Sequence, residues 1–125
     1  MIVKRSSFAF EDTVGRVAQA IERRGLTIFA RIDHAAGARE AGLELADELV
    51  LVFGNARAGT PLMQSDPRIG IELPLRMLVW SVADGVAVGY RDPRELAAGY
   101  DVAQQTETLE RMAALLADIV QVAAG

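Results

Sequence analysis

The spacing of apolar positions changes several times along the chain, and each change marks an element. Residues 2–6 read as a short first strand. Phe10, Val14, Val17 and Ile21 then recur at helical spacing and predict a helix over 10–24. Glu11 and Asp12 lie in its first turn, Arg23 and Arg24 in its last, and Gly25 just beyond, the usual start and stop signals. From Leu26 to Ile32 the period drops to two, with Leu26, Ile28, Ala30 and Ile32 on one face of a second strand. Ala35–Ala41 reads as a short alanine-rich helix closed by Gly42. Glu48–Phe53 is a third strand, and its apolar run Leu49–Phe53 predicts cover on both faces.

The stretch 54–73 is the least regular, with Gly54, Gly59, Pro61, Pro67 and Gly70. Proline suits a first helical position, so a short helix is expected at about Pro61–Ser65. Residues 75–82 and 86–91 form a hairpin around Asp84-Gly85, where both turn positions are expected at positive φ. Asp92-Pro93 opens a short helical stretch, and a long helix runs from Val102 onward. Its stripe is Val102, Leu109, Met112, Leu116, Ile119 and Ala123, widened by Leu115, Val120 and Val122. This order predicts an α+β two-layer sandwich: a mostly antiparallel sheet of about five strands with helices packed on one face.

Composition narrows the picture. The 125 residues fit a single domain, 1–125. The absence of cysteine excludes disulfides, thiolate metal sites and a cysteine nucleophile. It also agrees with a cytoplasmic location. No signal peptide or run of membrane-spanning length is visible. The net charge is −4 and the basic residues, nearly all arginine, are scattered, so no nucleic-acid partner is expected. Apolar residues make up 51% and mean hydropathy is +0.20, which favours a homodimer that covers part of the surface.

Two features carry candidate chemistry. His34, the sole histidine, follows Asp33 at a strand end. It is the one acid–base candidate, with Asp33 or Tyr90 as partner. The competing reading makes Asp33 the N-cap of the next helix. One histidine cannot build a multi-histidine zinc site, and no metal centre is expected. The second feature is Phe53-Gly54-Asn55-Ala56-Arg57-Ala58-Gly59-Thr60-Pro61, a buried strand emptying into a glycine-bearing loop whose N–H groups can hold an anion. Thr60 either caps the following helix or meets a ligand. Neither a P-loop nor a dinucleotide fingerprint is present, so no cofactor is identified. The competing reading is a tight turn. The serines have no triad partner.

Ile32-Asp33-His34-Ala35, Phe53-Gly54-Asn55, Gly59-Thr60 with Met63, Leu73-Pro74-Leu75 and Tyr90 together resemble the family catalogued as domain of unknown function 302, over nearly the whole chain. The resemblance implies a two-layer α/β fold and a tendency to dimerise, and it implies no activity. The recurring polar positions it carries over are Asp33, His34, Asn55, Thr60 and Tyr90. Ala56 stands where the family usually has proline, which leaves the loop one fixed φ fewer.

Three functions follow as expectations. The first is binding of a small molecule or anion at a strand-end rim built from Asp33, His34, Gly54, Asn55, Gly59, Thr60 and Tyr90. The second is a structural or interaction module acting as a homodimer. The third is an enzyme using His34 as acid or base.

Overall fold

Five strands, β1 (Ile2–Ser6), β2 (Thr27–Asp33), β3 (Glu48–Gly54), β4 (Leu75–Val82) and β5 (Gly85–Tyr90), pair antiparallel throughout in the order β1-β5-β4-β3-β2. The computed structural model describes residues 1–125. Between the strands run α1 (Phe10–Arg23), α2 (His34–Glu40), α3 (Ala56–Ser65), α4 (Pro93–Leu96) and α5 (Thr106–Ala124), with 3-10 turns at Pro67–Glu72 and Ala103–Gln105. The long helices α1 and α5 pack side by side on one face of the sheet, giving the two-layer α+β sandwich. No helix is long and apolar enough to cross a membrane.

The core lies between these layers. From α1 come Phe10, Val14, Val17 and Ile21, the stripe read from the sequence. From α5 come Leu109, Met112, Leu116, Ile119 and Ala123. They meet Leu49, Leu51, Phe53, Met77, Val79 and Val88 of the sheet, all at most 1% exposed. Each large side chain so buried contributes about 1.5–3 kcal/mol. Gly25 closes α1 at φ +72° and Gly42 follows α2 at φ +77°, left-handed values that glycine takes without strain.

Five details differ from the sequence reading. In β2 a bulge between Ile28 and Ala30 reverses the alternation, so Ile28 packs towards the core while Ala30 and Ile32 lie on the other face. Strand β3 is buried on one face only. Val50 and Val52 are only half-buried, on the face away from α1 and α5. Helix α3 begins five residues before Pro61, which sits inside it, because Asn55 and not Thr60 supplies the cap. The β4–β5 loop is Ala83-Asp84 with Gly85 opening β5, and no residue other than glycine has positive φ. The long helix starts at Thr106 after a 3-10 turn, and Val122 on it is 46% exposed.

The two ends of the chain are tied together. The Ser7 N–H donates to the Ala124 carbonyl at 2.9 Å. The Arg16 guanidinium donates to the carbonyls of Ala123 and Val122 at 3.0 and 3.1 Å, and lies 3.9 Å from the Phe8 ring centre. The last turn of α5 therefore has its carbonyls met by residues of the first sixteen.

Candidate functional site

The C-terminal end of β3 opens beside an apolar hollow of the molecule. Gly54 ends the strand, and the Asn55 side chain accepts from the Ala58 N–H at 2.8 Å, which fixes the start of α3. Helix α3 then runs over the cavity, with Gly59 and Met63 turned to it. Leu73 closes it from the chain after the 3-10 turn, and Met112 and Leu115 close it from α5. Its volume is about 270 Å³.

Small residues make this space. A Cβ at Gly59 would stand 3.5 Å from a Leu73 methyl, and one at Gly70 would stand 3.4 Å from the Met63 sulfur. Met63 thus lies between two glycines, and its unbranched thioether can change rotamer where a branched side chain could not. At the mouth, Phe29 and Met63 are 58% and 38% exposed. Asn55 and Thr60 are the polar side chains on the cavity wall, and no lysine, arginine or carboxylate lines it. The Asn55 oxygen is engaged by its cap. The Thr60 hydroxyl has no hydrogen-bond partner within the protein, so it is free to meet a ligand.

The residues expected to share one rim occupy three places. Asp33 pairs with Leu49, at the beginning of β3, while Gly54 pairs with Thr27, at the beginning of β2. Six residues of strand therefore separate the Asp33-His34 corner from the cavity, about 20 Å. At that corner the Asp33 carboxylate accepts from the Ala36 N–H at 2.9 Å and caps α2, the alternative weighed from sequence. His34 is exposed, forms no side-chain hydrogen bond and does not line the cavity. Tyr90 lies at the end of β5, two strands from β3, 5% exposed. Its hollow is shared with Asp92, Arg94 and Glu110. Burial, and then the Asp92 carboxylate, push its phenol above the ordinary range. The single rim is thus corrected to Gly54, Asn55, Gly59 and Thr60 at the cavity, with Asp33, His34 and Tyr90 elsewhere. No group of three or more His, Asp or Glu side chains comes together to hold a metal ion.

Several cavity residues carried no functional signal in the sequence. Met112 and Leu115 read as core stripe, and Phe29 as the far face of a regular strand. The bulge beside Phe29 is what brings it to the mouth.

A second motif escaped the sequence reading, although it is written twice. Asp66-Pro67-Arg68 and Asp92-Pro93-Arg94 fold alike. In each, the aspartate accepts from the N–H two residues on, at 3.1 and 2.9 Å, and pairs with that residue's guanidinium at 2.7 Å. Asp66 also accepts from the Asp101 N–H at 2.9 Å, which ties the segment before α5 to the 3-10 turn behind the cavity. The Arg68 side chain, and then the Asp101 N–H, hold the Asp66 carboxyl well below the usual carboxylate range. Arg94 does the same, more weakly, for Asp92.

Residues 2–119 match the family model described as Domain of unknown function DUF302. The crystal structure of an uncharacterized conserved DUF302 protein from Bacillus stearothermophilus superposes with a TM-score of 0.90, at 15% identity, over 99% of this chain and 97% of that one. At that identity the likeness establishes the fold. Curated relatives are the fluoride-specific ion channels FluC 1 of Brucella suis and FluC 2 of Brucella melitensis, each 40% identical over 98 residues, or 78% of this chain. Those 98 residues are 39% and 36% of the two relatives, so the chain spans less than two fifths of their length.

Proposed function

The chain belongs to the DUF302 family, and within that family we propose that it is a binding module whose cavity between β3, α3 and α5 takes a small, mainly apolar molecule. The cavity carries this reading. An apolar cavity of about 150 Å³ admits benzene, and this one, at 270 Å³, has room for a larger ring system or a short branched chain. Phe29 and Met63 form an adaptable mouth, and the Thr60 hydroxyl offers one point of polar recognition. The lining favours an uncharged ligand over an anion, because a bare anion there would shed its hydration with no cation to replace it.

The channel relatives bear on this reading. A channel must cross the bilayer with its backbone polar groups satisfied, and no helix here is both long and apolar enough to do so. The segment shared with those relatives is then an appended domain, and fluoride, small and strongly hydrated, does not suit this cavity. In such a chain the domain would sense a second molecule beside the transport unit.

The test uses methionine-methyl NMR with indole and toluene as probes. Met63 and Met112 line the cavity, while Met77 lies in the core and Met1 packs against Gly89 on the sheet. Saturable shifts confined to the Met63 and Met112 methyls are expected, lost in Gly59→Leu, which fills the cavity. Shifts absent at both methyls up to millimolar probe, or unchanged in Gly59→Leu, would overturn the proposal.

A further inference from the structure

The sheet face opposite α1 and α5 is only half-buried, yet it is apolar. The pairing register sets Val3, Gly89, Leu78, Val50 and Ile32 side by side in one row across all five strands. Val3 and Ile32 are 49% and 45% exposed, and Leu78 and Val50 are half-buried. Trp80 lies flat on this face. A Cβ at Gly89 would stand 3.1 Å from its ring and from the Met1 sulfur, so glycine is what lets both side chains lie there. An uncharged row spanning a whole sheet is more than scattered surface apolarity.

The charges flanking that row are arranged for a copy of the same face. On one side the register places Ala30, Val52 and Arg76, and on the other Glu48, Trp80, Ala87 and Arg5. Arg5 is paired with Asp84 at 2.8 Å. Arg76 and Glu48 have no charged partner in the chain, and as neighbours of opposite rows they stand about 14 Å apart. They cannot meet within one molecule. A two-fold axis laid along the apolar row exchanges the two flanks, which sets Arg76 of each copy over the other's Trp80 and beside its Glu48. Each orphan charge then gains one partner, the pair occurring twice by symmetry, and the aromatic face receives a guanidinium. Five strands at about 4.8 Å spacing give a face about 24 Å wide, on the scale of sheet-on-sheet packing at about 10 Å separation.

We infer that this open sheet face is a self-association surface: two copies pack sheet to sheet about a two-fold axis along the Val3–Ile32 row, with reciprocal Arg76–Glu48 pairs at its edges. The occupant is a second copy because the surface is self-complementary in sign and position, as an isologous contact requires.

The test combines sedimentation velocity of the full chain with emission from Trp80, the sole tryptophan. Wild type is expected to sediment at twice the mass of the chain at micromolar concentration, with Trp80 emission shifting to the red on dilution. Val50→Lys is expected to be monomeric with red-shifted emission and an unchanged circular dichroism spectrum. Should that variant misfold, the flanking charges decide the matter. Arg76→Glu and Glu48→Arg should each weaken the dimer by about tenfold or more, and the double variant should recover most of that loss. A wild type that stays monomeric at hundreds of micromolar overturns the inference. A dimer indifferent to the charge reversals, or a double variant no better than either single, does so equally. A monomer whose Trp80 emission responds only to phosphatidylcholine vesicles would assign the face to lipid instead.

Discussion

The two Asp-Pro-Arg turns show how much one side chain can organise. Proline fixes φ and spares a missing N–H at the first position of a turn, the aspartate satisfies the next free donor, and the arginine closes on the aspartate. Asp66 adds the Asp101 N–H, so a single carboxylate holds together the wall behind the cavity and the approach to α5. Its charge is needed for this. The folded state keeps Asp66 ionised far below 3.8, the ordinary value, whereas the unfolded chain protonates it near that value. The stabilisation is therefore fully present above about pH 5 and is lost as the pH falls from there towards the depressed folded pKa. In Asp66→Asn, the urea midpoint is expected to be lower at pH 7 and to fall less steeply between pH 5 and pH 3 than in wild type. Parallel pH profiles for the two proteins would contradict this role. The signal was available in the sequence, as a tripeptide written twice. Asp92-Pro93 was legible as a helix opening, but the arginine that closes on each aspartate was not, because a charged residue beside proline has no apolar period.

At the scale of elements, helix α3 carries the site. Pro61 marked a helix start by its residue type, but the stronger signal lay upstream: Asn55, three residues before a backbone N–H it can reach. With the cap in place the helix absorbs Pro61, losing one internal hydrogen bond. The cap should therefore be worth measuring directly. Asn55→Ala is expected to lower unfolding stability by about 1 kcal/mol and to speed amide exchange in residues 56–60 while leaving α1 and α5 unchanged. A uniform loss of protection across all helices would show that α3 is not a separable unit. Helix α1 was legible to within a residue, because four buried side chains at helical spacing repeat the same message. The reversal inside β2 was not. A bulge is one extra residue, and Ile28, Phe29 and Ala30 suit a regular strand as well as a bulged one.

For the whole molecule, the antiparallel register decides which residues can act together. In a parallel sheet the C-terminal ends of neighbouring strands gather at one edge, where ligands bind. In an antiparallel pair they lie at opposite edges. The fold class was legible from the order of elements, but the common rim expected for Asp33, His34 and the Gly54–Thr60 loop borrowed a rule from the wrong kind of sheet. With His34 about 20 Å from the cavity, His34→Ala should leave indole binding unchanged and shift stability by less than about 0.5 kcal/mol. A measurable loss of probe affinity in that variant would require a route between the two edges. The tie between the ends of the chain has a consequence of another kind. β1 pairs with β5 eighty or more residues on, and Arg16 waits for Val122 and Ala123. Within this domain β1 thus has no partner strand until β5 follows, and α1, although it meets β2 to β5, lacks its helical neighbour until α5 follows. Such distant closure raises the contact order and slows the search for the native state, and the side of α1 that α5 covers stays open to other chains until that helix arrives.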